Sequence, residues 1–203
     1  LTVTVDNTAA TVFGPNVAGA AAIEVSGLGV IQYSTAAAVN TQLNLDGNLI
    51  LNQDGIFRMG QSSVPIPSTS TAKLAFDNAS NVQYGINVRT GGIFQTYGAS
   101  KVGRTTLAST ATAGATTISI NDTATWNVLD QVAIASTVRS QIGQAEVVGL
   151  SAGGTGTSFA VSAVVNNHDG SASSTAARAD VINLTRNVTI QGVSTALQTY
   201  LTT

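Results

Sequence analysis

One histidine and ten carboxylates make up the ordinary acid–base equipment of this 203-residue chain. His168 belongs to the residue type that titrates near neutral pH, so it could act as an acid, a base or a sugar-binding group. Glycoside cleavage requires two carboxylates roughly 5–10 Å apart. Asp46, Asp54 and Asp169 each precede a glycine, which reads as turn chemistry. Seven carboxylates remain; three of them, Asp130, Glu146 and Asp180, are carried with His168 as catalytic candidates because they lie in the stretch whose family resemblance is set out below. Ion pairing is the competing account, because Arg139, Arg178 and Arg186 lie equally near in sequence. His168 itself precedes Asp169-Gly170 and reads more simply as a turn residue.

Gly149-Leu150-Ser151-Ala152-Gly153 matches the nucleophile-elbow pattern, which needs a strand before the serine and a helix after it. Gly154-Thr155-Gly156-Thr157 cannot start a useful helix, and a triad would rest on His168 alone. There is no cysteine and no Asp-x-Asp spacing, so neither thiolate nor calcium ligation is expected, and no cofactor. The sequence therefore leans against catalysis.

The elements that would position these residues are strands. Charged residues are 9% of the chain against roughly 25% in ordinary soluble domains. Thr, Ala, Ser, Asn and Gly take their place, a composition suited to stacked strands, where short hydroxyl and amide groups pair without charge repulsion. The hydrophobic fraction of 43% is enough for a sizeable core. With eight Lys plus Arg, a net charge of −2 and no basic cluster, nucleic-acid binding is not expected. No apolar run is long enough for a membrane-spanning helix. The chain begins at Leu1 without a signal-peptide pattern, which suggests a processed chain or part of a longer one.

Leu1 to Val5 alternates strictly, with Leu1, Val3 and Val5 on one face. A short helix over Ala18 to Ala22 is disfavoured by the flanking Gly and β-branched residues. From Gln42, short apolar runs end at Asp46-Gly47, Asn52 to Gly55 and Gly60, with a Pro-containing loop from Ser62 to Thr71. Phe57, Phe76 and Phe94 recur at similar intervals, about one coil of a solenoid. Strands without intervening helices fit either a solenoid or an antiparallel sandwich. Tyr33, Tyr84, Tyr97, Trp126 and Tyr200 could form a sugar-stacking strip, although such residues more often fill corners. Sequons at Asn78, Asn121, Asn183 and Asn187 are expected by chance.

Gly91-Gly92-Ile93-Phe94 through Lys101, then Thr105-Thr106-Leu107, Asp130 to Thr137, Gln144-Ala145-Glu146, His168 and the run Arg178 to Gly192 form an ordered set of short motifs. Together they resemble the eight-glycine domain of fibrocystin-like proteins and of cell-migration-inducing hyaluronan-binding proteins. The family has Gly before the aspartate where this chain has Leu129, and a His near position 168. The resemblance implies an all-β, right-handed parallel β-helix; the antiparallel β-sandwich, left open by the strand pattern, is the alternative.

The expected organisation is a strand and capping segment over 1–40, the β-helix over 41–192 and a tail over 193–203. Leu1, Val3, Val5, Leu197, Tyr200 and Leu201 are the candidate assembly residues, because terminal strands must pair with something, including other subunits. The function these features suggest is a non-catalytic structural module outside the cell, in a virion fibre, tail or capsid surface, or else in a bacterial surface filament. The alternative is binding or degradation of an acidic polysaccharide such as hyaluronan. Expected partners are copies of itself, other subunits or a surface polysaccharide.

Overall fold

The computed structural model describes residues 1–5, 12–13, 20–76, 83–137, 143–171, 177–192 and 200–202, with backbone alone at 12–13 and 200–202. These residues contain strands and no α-helix. The chain divides into two compact units: residues 1–99 with 186–203, and residues 100–185.

The first unit holds three four-stranded parallel sheets. One is β1 (Thr2–Val5), β4 (Val30–Tyr33), β7 (Ile56–Met59) and β10 (Ile93–Thr96). The second is β2 (Val12–Phe13), β5 (Asn40–Leu45), β8 (Thr71–Phe76) and β17 (Val188–Gly192). The third is β3 (Ala21–Val25), β6 (Asn48–Leu51), β9 (Gly85–Val88) and β18 (Tyr200–Thr202). In-register pairing stacks like on like: Leu43 beside Leu74, Leu45 beside Phe76, Leu49 beside Ile86. Phe57 stacks on Phe94 with ring centroids 5.7 Å apart, and Tyr33 meets Phe57 edge-on at 5.9 Å. The expected Phe57–Phe76–Phe94 repeat is therefore wrong in its middle member. Phe76 belongs to another sheet, beside Leu45 and Gly192.

The second unit pairs antiparallel throughout. β11 (Arg104–Thr106), β16 (Asp180–Asn183), β13 (Gln131–Ile134) and β14 (Glu146–Gly149) form one sheet, and β12 (Thr117–Trp126) pairs with β15 (Gly154–Ala160). Leu107, Ile118, Trp126, Val132, Ile134 and Val181 lie in its core. The expectation of one parallel β-helix running through Gln42–Gly192 is overturned by these antiparallel pairings. The chain forms several small sheets of both kinds, and the antiparallel sandwich considered as the alternative fits. Apolar alternation has a period of two in either direction of pairing, so it locates a strand without fixing its neighbour's direction.

Turn chemistry also differs from expectation. At Asp54-Gly55 it is Asp54 that takes the left-handed conformation, with φ 61°. Aspartate tolerates this better than most residues. Gly55 is needed for proximity instead, since a Cβ there would lie 2.2 Å from the Val25 carbonyl oxygen. Leu129, where the resemblance expects Gly, has φ 69° and is 80% exposed. A left-handed leucine costs about 1–2 kcal/mol, and glycine's extra chain entropy offsets only about 0.5–1 kcal/mol of what its freedom would recover. Leu129→Gly should therefore raise stability by about 0.5 kcal/mol, while the β-branched Leu129→Val should lower it by about 1 kcal/mol. Denaturant midpoints of the three proteins check the order.

Candidate functional site

The histidine and the carboxylates singled out by sequence all lie in the second unit, where each is held by a partner. Glu146 sits on β14 opposite Ile134, on the buried face of the sheet. His168 is fully buried, and its backbone bridges to Ala111. Its Nδ1 lies 2.9 Å from the Ala135 carbonyl oxygen and its Nε2 lies 2.8 Å from Glu146 Oε1. Both ring nitrogens thus face acceptor oxygens, one a backbone carbonyl and the other a carboxylate. The carboxylate is further fixed by the backbone N–H groups of Val165, donating to Oε2 at 2.8 Å, and Asn166, donating to Oε1 at 2.8 Å. Burial alone would raise the Glu146 carboxyl. The Val165 N–H, the His168 ring, the Asn166 N–H and the ring's charge outweigh that and hold it below its ordinary value of 4.5.

Asp130, just before β13, is 2% exposed. Its Oδ2 accepts from Lys101 Nζ at 2.7 Å, the Asn127 N–H at 3.0 Å and Asn183 Nδ2 at 2.9 Å. Asn183 is itself fully buried and accepts the Thr185 N–H at Oδ1. This network ties the Asn127–Asp130 turn to the end of β16. Asp180 points the other way. It precedes the inward Val181, so it lies on the outer face, where Arg104 grips both carboxylate oxygens.

These positions do not make a glycosidase pair. Asp130 lies at one end of β13 and Glu146 opposite the other, about 13 Å along the strand, beyond the roughly 5–10 Å that cleavage requires. Asp180 and Glu146 face opposite sides of the sheet. The cations are Lys101 and Arg104, not the arginines nearest in sequence, of which Arg139 lies outside the described residues. No local pattern could have named them, since the pairs span 29 and 76 positions.

The other candidate motifs resolve structurally. The segment 150–153 joins β14 to β15, strand to strand, so the glycine–serine motif is no nucleophile elbow. A Cβ on Gly153 would meet the Val128 nitrogen at 2.6 Å. Tyr33, Tyr84 and Trp126 are buried, which leaves no strip for sugar stacking among them. Trp126 donates from Nε1 to the Val102 carbonyl at 2.9 Å and packs on Phe159. Burial pushes the Tyr33 phenol well above its ordinary range, against a smaller lowering by the Leu43 backbone. Of the sequon asparagines, Asn183 is buried, and Asn187 donates to the carbonyls of Ile66, Pro67 and Ser70. Asn78 lies outside the described residues.

Of the assembly candidates, Leu1 is 95% exposed and Val3 49% exposed, and Val5 packs partly against the core. Tyr200 and Leu201 pair on β18 with Gly85 and Ile86, and Leu197 lies outside the described residues. Among the described residues no group of three His, Asp or Glu could hold a metal, and no helix is long and apolar enough to cross a membrane. The first unit also carries a cleft of about 570 Å3 beside Gln32 and Arg58, and a smaller one of about 300 Å3 beside Asn187.

Because the Glu146 carboxyl is lowered in the fold, its stabilisation is complete above about pH 4.5 and is lost as pH falls through the lowered value. Glu146→Gln should lower stability at pH 7 by about 1–3 kcal/mol and flatten the acid limb of the stability curve below pH 4.5. Denaturant unfolding across pH 3–7 measures both. Asp130→Ala strands the buried Lys101 ammonium and should cost about 3–5 kcal/mol, whereas Lys101→Met with Asp130→Leu should recover part of the loss. A double-mutant cycle reads that coupling. Compared with known proteins, the chain matches no family model and no characterised protein.

Proposed function

We propose that this chain is a non-catalytic structural module of an extracellular assembly, such as a virion fibre, tail or capsid surface, or a bacterial surface filament. The observation that carries the reading is a pair of unguarded sheet edges. β1 and β10 end the same parallel sheet, and among the described residues each is paired on one side only. Soluble proteins usually blunt such edges with charge, proline or a bulge. Thr-Val-Thr-Val and Ile-Phe-Gln-Thr offer none of these.

The occupant of the edge is a second copy of the chain. The Val30 N–H bonds the Leu1 carbonyl and the Ser34 N–H bonds the Val5 carbonyl, so the odd residues of β1 face β4. Thr2 and Thr4 then turn their backbone groups outward. β10 of a second copy would continue the sheet in the same direction, setting Phe94 beside Val3 in the column that runs Val3, Ile31, Phe57, Phe94. Such a head-to-tail contact is heterologous and propagates unless the rotation closes it.

Sedimentation velocity over a concentration series should show reversible association. Thr2→Pro or Thr4→Pro, which removes an outward N–H and spares the β1–β4 bonds, should return the protein to monomer. A chain that stays monomeric at every concentration, or associates equally well with these prolines, would overturn the reading.

A further inference from the structure

The larger cleft of the first unit has a wall made by one row of side chains. Thr4, Gln32 and Arg58 are register partners across β1, β4 and β7. Arg58 donates from Nε at 3.1 Å and from Nη2 at 2.8 Å to the same oxygen, Gln32 Oε1. Gln32 Nε2 in turn donates to Thr4 Oγ1 at 3.5 Å. The row is directional: each amide end faces the group it suits, so the guanidinium is held in place without a carboxylate. Among the described residues Arg58 meets no carboxylate and no carboxylate lines the cleft. Its Nη1 has no acceptor among the described residues. Ser34, Thr35 and Gln61 add hydroxyl and amide groups around it.

We propose that this cleft binds a saccharide carrying a carboxylate. A guanidinium presents paired N–H donors that match a carboxylate, and prior immobilisation by Gln32 reduces the ordering cost of binding. Hydroxyl and amide walls suit sugar hydroxyls, and the volume falls within the range of small-molecule sites. Successive rungs stand about 4.8 Å apart, close to the length of one pyranose ring. The site uses the side-chain face of the sheet, not its backbone edge, so it stands independently of self-association.

The test is an amide-resolved NMR titration of the full chain with trigalacturonate, alongside its methyl ester and inorganic phosphate. The expected result is saturable shifts at residues 32–36 and 58–64 with trigalacturonate, weakened by salt and by esterification. Arg58→Gln should weaken binding about tenfold or more. Thr35→Trp, which obstructs the cleft and leaves the Arg58–Gln32 contact intact, should weaken it similarly, with thermal melts confirming that both variants fold. The proposal fails if trigalacturonate does not saturate, if the ester binds as tightly, or if phosphate alone reproduces the shifts. It fails equally if either folded variant binds like the parent.

Discussion

In-register strand pairing is the constraint on which the first unit depends. Parallel pairing places each side chain about 4.8 Å from its counterpart on the next strand, so each must suit the counterpart on either side of it. Apolar counterparts bury one another, as Leu43 with Leu74 and Phe57 with Phe94 do. Amides and hydroxyls can pair across strands, as where Asn40 Oδ1 accepts from both the Thr71 N–H and the Thr71 hydroxyl. Like charges in the same place would repel at that short range. The scarcity of Lys, Arg, Asp and Glu thus follows from the geometry of the stack.

Buried charge in the second unit obeys a different rule. An ion taken out of water needs both a counter-charge and further hydrogen bonds. Asp130 has Lys101, an amide and a backbone N–H; Glu146 has His168 and two backbone N–H groups. Groups so fully engaged are poor acid–base catalysts, since a reacting proton would have to displace a structural one. Their contribution lies in joining segments distant in sequence, which antiparallel pairing alone leaves free to slide.

The strands were legible in the sequence because alternation and punctuation are local. Leu1 to Val5, the runs after Gln42 and the segment ending at Gly192 all form strands where the pattern placed them. Pairing partners were not legible. β8 pairs with β17 across the whole second unit, as Lys73 beside Thr189, and nothing near either strand records it. The direction of pairing escaped for the same reason, since period two is common to both. At the candidate site, the setting of His168 before Asp-Gly suggested a turn residue, whereas it is fully buried and bridges to Ala111. Its partner Glu146, 22 positions away, was grouped with it only as a possible catalyst. Arg58 carried no sequence signal, because its significance arises from register with Gln32 and from a setting without acids among the described residues.

That absence changes what a single cation can do. On an ordinary surface an arginine competes among many nearby carboxylates, and an exposed pair is worth little. Here Lys101 and Arg104 are committed to Asp130 and Asp180, while Arg58 is anchored by a neutral amide and meets no carboxylate among the described residues. The stacking rule that excludes charge from most rungs therefore makes the exceptional charged rung distinctive. In the uses proposed above, the side-chain row faces a ligand while the backbone edge of the same strands faces a neighbouring copy. One sheet can support both uses because side chains and backbone hydrogen bonds point at right angles to each other.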